Sequence, residues 1–160
     1  MQEQRNVLIE SARIARGRVS SLATFSPNAA DALVIPGGFG AAKNLSSYAF
    51  DGPKCKVHPD VAKAIKDMHA CGKPIGALCI APVLVAKVLG KVSLTIGQDQ
   101  GTADNLAAMG ATHVPTSHGQ IAIDRENKIV TTPCYMLNSR VDQVAEGADN
   151  LIRAMLEMMA

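Results

Sequence analysis

Cys79 closes the apolar run Lys73–Cys79 and is followed directly by Ile80-Ala81-Pro82 and a helical pattern. A strand that turns sharply into a helix at a cysteine places the thiol above the sheet, beside the start of the helix. Backbone N–H groups and the helix dipole at that point favour the thiolate, which is the nucleophilic form of cysteine. The pattern therefore predicts a reactive thiol, with a small buried hydrophobe as the alternative interpretation.

The other cysteines, Cys55, Cys71 and Cys134, are irregularly spaced and form neither a Cys-x-x-Cys motif nor a set with paired histidines. We therefore predict reduced thiols and neither a disulfide framework nor a zinc site. The lysines on either side of Cys55 could make it incidentally reactive. Cys134 is expected beside the same crevice as Cys79, where a packing role is favoured over oxidation with Cys79.

Apolar strands alternate with helical patterns along the chain, which indicates an α/β protein with a mostly parallel, doubly wound sheet and helices on both faces. The predicted strands lie at residues 31–36, 73–79, 92–97, 111–115, 121–124 and 128–132. The predicted helices lie at residues 6–16, 41–50, 59–71, 81–89, 102–109 and 138–159. No strand precedes residue 31, so a first strand and helix are expected to be missing.

Ligands of such sheets bind beyond the carboxyl ends of the strands. The glycine turn Gly37–Gly40, Cys79, Gln98-Asp99 and the segment Thr131–Pro133 all follow predicted strands. We therefore expect four strand ends to meet at one crevice. The glycine turn lacks the Gly-x-Gly-x-x-Gly spacing, and no Walker pattern occurs, so a nucleotide site is rejected.

Composition limits the classes of function. The chain has 160 residues, a formal charge of +2, 19% charged residues and 3% aromatic residues. Without a basic patch or aromatic platforms, a nucleic-acid partner is not expected. The start, Met1–Arg5, lacks the apolar region of a secretory signal, and no apolar run could span a bilayer, so we predict a cytoplasmic protein without a membrane partner.

Two longer motifs carry a family resemblance. These are Ala32–Leu45, which contains Pro-Gly-Gly-Phe-Gly-Ala-Ala-Lys-Asn, and Cys-Ile-Ala-Pro at Cys79–Pro82. With Gly110–Pro115 and Asn127–Pro133, they make the chain resemble the ElbB group of the PfpI-like superfamily, which has the fold of class I glutamine amidotransferases. The likeness covers essentially all 160 residues and implies one flavodoxin-like domain over residues 1–160, incomplete at its N-terminus.

The resemblance also implies an activity. Bacterial members of the group are described as glutathione-independent glyoxalases, with links to isoprenoid biosynthesis and protein deglycation, and are commonly homodimers. Cys79 would be the nucleophile that adds to a small dicarbonyl, without a metal or other cofactor. The backbone N–H groups of Gly38 and Ile80 would form an oxyanion hole.

This sequence departs from the superfamily in two respects that concern acid–base chemistry. The early acidic residue that hydrogen-bonds the cysteine in relatives has no counterpart, and Ile80 and the segment Gly97–Asp99 stand where many relatives carry histidine. Asp99 and His113 are candidate acid–base groups, with a helix cap and a surface-strand residue as the alternatives. Lys43 and Asn44 could orient an oxygen-rich substrate or simply cap and solvate a helix.

The leading hypothesis is a cofactor-free glyoxalase or deglycase that acts through Cys79. One alternative is a redox-responsive or binding protein whose Cys79 thiol is oxidised instead of turning over substrate. Another is an inactive, truncated product, because loss of a central strand would expose the edges of its neighbours.

Overall fold

The computed structural model describes residues 5–159, so the polar start at residues 1–5 falls almost wholly outside them. The strands are Leu33–Ile35 (β1), Ile75–Leu78 (β2), Ser93–Leu94 (β3), Thr112–His113 (β4), Ala122–Asp124 (β5) and Ile129–Thr132 (β6). The α-helices are Val7–Ile14 (α1), Gly38–Lys43 (α2), Tyr48–Asp51 (α3), Pro59–Ala70 (α4), Pro82–Leu89 (α5), Gln100–Ala108 (α6) and Val141–Glu157 (α7).

The main sheet has the strand order β1-β2-β6-β5, in which β1, β2 and β6 are parallel and β5 runs antiparallel to β6. A parallel strand covered on both faces needs apolar residues throughout, and β2 accordingly buries Ile75, Gly76 and Ala77. The register pairs Leu78 of β2 with Thr132 of β6. The carboxyl ends of β2 and β6 therefore lie side by side.

A second, two-stranded parallel sheet, β3-β4, is attached to the main one by side-chain hydrogen bonds. The Ser93 N–H donates to the Asp124 carboxylate at 2.7 Å, and the Thr95 N–H donates to the Thr131 hydroxyl at 2.8 Å. Burial acts to raise the pKa of Asp124, but hydrogen bonds from Ser93 and Asn127 outweigh it and hold that pKa below its ordinary value. The charged carboxylate thus joins β5 to β3.

Helices cover both faces of the main sheet. On one face α7 packs its apolar side, including Leu151 and Met155, against β2 and β6. A Cβ on Gly76 would lie 2.6 Å from the Met155 sulfur, so a larger residue at this position would displace the end of the Met155 side chain. On the other face α4 and α5 bury a larger cluster that includes Ile65 and Leu84. The predicted α/β class with helices on both faces is confirmed.

Two predicted elements differ from the structure. The helix expected over residues 41–50 is divided into α2 and α3, because the Ser46 hydroxyl donates to the Ala41 carbonyl and Ser46 forms a β-bridge with Val57. The strand expected over residues 92–97 is reduced to Ser93–Leu94, since beyond it the Thr95 N–H bonds to a side chain and Gly97 adopts φ +91°.

Within residues 5–159, no helix combines the length and the apolar character needed to cross a lipid bilayer.

Candidate functional site at the end of the central strand

Cys79 occupies a sharp turn between β2, which ends at Leu78, and α5, which begins at Pro82. Its φ is +58°, in the left-handed region that residues other than glycine rarely adopt. The Ala81 N–H donates to the Leu78 carbonyl at 2.9 Å and closes the turn. Because a left-handed conformation costs roughly 1–2 kcal/mol for a residue with a Cβ, the surrounding structure must hold Cys79 in place. The turn predicted at this cysteine is present.

The neighbouring strand anchors the backbone of Cys79. Its N–H donates to the Thr132 carbonyl at 3.0 Å, which extends the β2–β6 ladder by one residue. The thiol-bearing residue is therefore fixed to the sheet while its side chain stands at the carboxyl edge. The residue Cys79 is partly exposed.

Gly37 supports the turn from the other side. Its φ is +91° and its ψ −138°, a conformation available essentially to glycine alone. A Cβ at this position would lie 2.5 Å from the Leu78 carbonyl oxygen and 3.1 Å from the Cys79 Cβ. The backbone after β1 therefore rests directly on the cysteine turn, a closeness that only glycine permits.

The two amides predicted as an oxyanion hole belong to these touching turns. Gly38 follows Gly37, with φ +76° and no atom within 4 Å of the place where its Cβ would be. The Ile80 nitrogen lies 3.4 Å from the point that a Cβ on Gly37 would occupy. The backbone at Gly37 therefore lies beside the amide that follows the cysteine, and the oxyanion hole of Gly38 and Ile80 stays a prediction.

The ends of β3 and β6 also meet. A Cβ on Gly97 would lie 3.1 Å from the Cβ of Pro133 and 2.9 Å from a methyl group of Leu137. Contacts thus run from Gly37 to Cys79, from Cys79 to Thr132, and from the residue after Thr132 to Gly97. Four chain segments that follow strands converge at this edge.

Asp99 lies at the start of α6, where its carboxylate accepts a hydrogen bond from the Thr102 N–H at 2.8 Å. That bond holds the pKa of Asp99 below its ordinary value. Asp99 is exposed, and no hydrogen bond among residues 5–159 joins it to Cys79. The geometry is that of a helix cap.

His113 is partly buried on β4, and its Nε2 is buried without a hydrogen-bond partner among the described residues. Burial lowers the pKa of His113, against the opposing effect of a backbone hydrogen bond with Gly97. The neutral imidazole is therefore favoured. No side-chain hydrogen bond in residues 5–159 connects His113 to Cys79.

Lys43 and Asn44 end α2, the helix that follows the glycine turn. The Lys43 ammonium lies 5.0 Å from the centre of the Phe39 ring, a cation–π distance. Asn44 lines a cleft of about 520 Å³ together with Gly40 and with α1 residues such as Glu10. Both residues are exposed, Asn44 at this cleft and Lys43 over an aromatic ring.

The remaining cysteines occupy different surroundings. Cys134 is buried and follows β6 with φ +46°. Burial raises the pKa of its thiol, the nearby Cys79 sulfur raises it further, and a hydrogen bond with the Cys79 backbone acts in the opposite direction. Burial likewise raises the pKa of the Cys55 thiol, which makes incidental reactivity there less favourable. Cys71 is exposed.

Two residues that support the Cys79 turn, Gly37 and Thr132, are not singled out by the sequence. Gly37 was grouped with its neighbouring glycines, and its pairing with Cys79 needs knowledge of which strands are adjacent. Thr132 acts through its backbone carbonyl, which any residue type would supply. Within residues 5–159, no group of three His, Cys, Asp or Glu side chains is arranged to hold a metal ion.

Comparisons place these features in a family. The chain is 46% identical to the human protein called glutamine amidotransferase-like class 1 domain-containing protein 3, mitochondrial, over 98% of the chain and 62% of that protein. It is 44% identical to the rat ES1 protein homolog, mitochondrial, with the same coverage. The crystal structure of an isoprenoid biosynthesis protein with an amidotransferase-like domain from Ehrlichia chaffeensis matches with a TM-score of 0.87 and 36% identity, over 98% of this chain and 73% of that one.

The chain belongs to the class I glutamine amidotransferase-like family, as the resemblance indicated. It spans 62% of the length of the human and rat relatives. A comparison with general models of protein families gives no match.

The prediction of a cytoplasmic protein is wrong by the same comparisons, because the human and rat relatives are both called mitochondrial. The prediction depended on the lack of an apolar region at the start of the chain. Such a region marks a secretory signal, whereas mitochondrial transit peptides are amphipathic and Arg-rich. The criterion could not distinguish the two compartments.

Proposed function

We propose that this chain is the core of a cofactor-free, cysteine-dependent enzyme of the glyoxalase or deglycase type, which converts small dicarbonyls to hydroxy acids. The observation that carries the proposal is the left-handed Cys79 between a buried strand and a helix, held by Gly37 on one side and Thr132 on the other. Strain at a partly exposed nucleophilic residue is typical of functional sites.

The first step of the proposed reaction is addition. The Cys79 sulfur attacks one aldehyde carbon of glyoxal, the C=O π electrons move to oxygen, and protonation gives a hemithioacetal. The amides of Gly38 and Ile80 would stabilise the oxygen while it is negative. Two neutral N–H donors suit this task because the charge exists only during the addition.

The second step moves a proton. Removal of the proton from the sulfur-bearing carbon gives an enediol, and return of a proton to the adjacent carbon gives the thioester of glycolic acid. Water then attacks the thioester, the C–S bond breaks, and glycolate and the free thiol are released. The net reaction adds one water to glyoxal and needs no oxidant or reductant.

The proposal assigns no residue as the acid–base group for the proton shift. Asp99 is engaged with Thr102, and neither Asp99 nor His113 is joined to Cys79 by a hydrogen bond in residues 5–159. The proposal therefore assigns roles to Cys79, Gly38 and Ile80 and leaves Asp99, His113, Lys43 and Asn44 as candidates to be tested by substitution.

Glyoxal turnover tests the proposal. Loss of glyoxal and formation of glycolate should be followed by NMR for the unsubstituted protein, for Cys79→Ser and for the matched control Cys71→Ser, which changes an exposed cysteine at the end of α4. We expect glycolate from the unsubstituted protein and from Cys71→Ser only. Equal glyoxal loss in all three samples would overturn the proposal, as simple trapping by surface amines and thiols would explain it.

The single domain over residues 1–160, the homodimer, and the absence of nucleic-acid and membrane partners stay predictions from composition and resemblance.

A further inference from the structure

Cys134 lies where a second thiol could react with Cys79. The two residues follow adjacent parallel strands, and Cys79 stands one position beyond the pair Leu78–Thr132, while Cys134 stands two beyond it. The Cys79 N–H donates to the carbonyl of Thr132, two residues before Cys134, and the electrostatic effect of Cys79 on the Cys134 thiol also marks the two as near neighbours. A disulfide between them requires Cα atoms about 4.4–6.8 Å apart.

The surroundings of the two sulfurs differ in a way that assigns them separate roles. Cys79 is partly exposed, whereas Cys134 is only 8% exposed. The raised pKa of Cys134, caused by burial and by the adjacent Cys79, keeps it a thiol. An oxidant from solution therefore meets the more exposed Cys79 first.

We propose that Cys134 is the resolving cysteine of Cys79, so that oxidation by a peroxide closes a reversible Cys79–Cys134 disulfide that switches the site off. The inference rests on the nucleophilic Cys79 of the proposed function but does not require dicarbonyl turnover. Cys134 follows Pro133 in a left-handed conformation of its own, so the two sulfurs project from two fixed turns at one sheet edge.

The chemistry balances with hydrogen peroxide as the oxidant. The Cys79 thiolate attacks one peroxide oxygen, the O–O bond breaks, and the departing hydroxide takes a proton to become water. Cys79 is thereby oxidised by two electrons to the sulfenic acid. The Cys134 sulfur then attacks the Cys79 sulfur, the S–O bond breaks, and hydroxide leaves with the proton of Cys134 as a second water. A dithiol reverses the oxidation.

The experiment is a disulfide map after exposure to a graded excess of hydrogen peroxide. Lys73 precedes proline, so trypsin leaves Cys71 and Cys79 on one peptide, and Cys71→Ala serves as the background to remove this ambiguity. Free thiols are alkylated under denaturing conditions, and cross-linked peptides are identified by mass spectrometry. The matched variant is Cys71→Ala with Cys134→Ala.

In the Cys71→Ala protein we expect loss of two hydrogens, a cross-link between the Cys79 and Cys134 peptides, and full return to thiols with dithiothreitol. With Cys134→Ala added, Cys79 should instead gain two or three oxygens, and dithiothreitol should not restore it. Absence of the Cys79–Cys134 cross-link, or oxygen uptake at Cys79 at the same rate with and without Cys134, would overturn the inference.

Two further measurements separate this inference from the proposed function. If the Cys134→Ala variant does not fold, the cross-link map of the Cys71→Ala protein by itself tests the Cys79–Cys134 disulfide, because that map needs no change at Cys134. Glyoxal turnover is measured on the fully reduced protein. A protein that forms the cross-link but produces no glycolate supports the disulfide switch and contradicts the proposed glyoxalase activity. Glycolate formation without the cross-link supports the glyoxalase activity and contradicts the switch.

Discussion

The carboxyl ends of the main sheet and of the small sheet lie next to each other, but the polar side chains found there are in different environments. At the end of the main sheet, Cys79 is held left-handed with its thiol partly exposed and supported by Gly37 and Thr132. At the end of the small sheet, Asp99 caps α6 through the Thr102 N–H, and the Nε2 of His113 is buried without a partner among the described residues. Position after a strand therefore does not by itself make a reactive group. The Asp99 carboxylate is already bonded and the His113 Nε2 is buried, whereas Cys79 is partly exposed.

The largest effect that tests this contrast is expected from Gly37→Ala. Alanine is strained at φ +91°, and its Cβ would lie 2.5 Å from the Leu78 carbonyl oxygen. We expect a loss of about 3 kcal/mol in the free energy of unfolding, measured by urea denaturation, and slower alkylation of Cys79 in the folded protein.

The matched control is Gly38→Ala, which also has positive φ but meets no atom within 4 Å. It should cost about 1–2 kcal/mol from backbone strain alone. Equal losses in the two variants would contradict the view that Gly37 braces the cysteine turn.

The next largest loss of stability is expected at Asp124, whose hydrogen bond to Ser93 joins the two sheets. The buried Asp124 carboxylate accepts hydrogen bonds from the Ser93 and Asn127 N–H groups, so Asp124→Asn should cost about 1–3 kcal/mol at pH 7. Since the pKa of Asp124 is lowered in the folded state, its contribution is present above the unfolded-state value of about 3.9 and is lost as pH falls through the lower folded value.

Denaturation at a series of pH values checks this. The difference between the unsubstituted protein and Asp124→Asn should shrink below about pH 4. Asp104→Asn, an exposed position on α6, is the control and should leave stability nearly unchanged. A difference that persisted undiminished in acid would show that the carboxylate charge is not what joins the sheets.

Substitutions at Asp99 distinguish a helix-capping role from that of a catalytic acid. Asp99→Ala removes the acceptor for the Thr102 N–H and should cost about 1 kcal/mol of unfolding free energy. Asp99→Asn keeps a cap acceptor but has no titratable carboxyl, so it should restore stability. Under the cap interpretation both variants also keep glyoxal turnover. Loss of turnover in a stable Asp99→Asn protein would instead make Asp99 an acid–base residue.

The smallest effect concerns His113. Burial lowers its pKa in the folded protein, so the neutral form contributes stability above the unfolded value of about 6.5, and that contribution falls as pH drops through it. The unsubstituted protein should lose slightly more stability between pH 8 and pH 5 than His113→Gln does. If His113→Gln kept the pH dependence of the unsubstituted protein, His113 would not be its source.

Local patterns allowed much of the fold to be predicted. Pro59 starts α4, and the apolar run before Cys79 forms the central strand, because caps and apolar runs act over a few residues. The long helix over residues 41–50 was wrong because Ser46 and Val57, eleven positions apart, pair across a bend. The left-handed φ of Cys79 and the contact with Gly37 depend on strand order, which no local pattern contains.

The most direct test of the account is to look for the acyl group on Cys79 during turnover. The reduced protein is mixed with carbon-13 glyoxal, quenched in acid to preserve thioesters, digested at low pH and analysed by mass spectrometry. The account predicts a labelled glycolyl group on the Cys79 peptide that disappears when glyoxal is exhausted, and no such group at that position in Cys79→Ser. Label confined to lysine, arginine and the exposed Cys71, with glycolate still released, would contradict it.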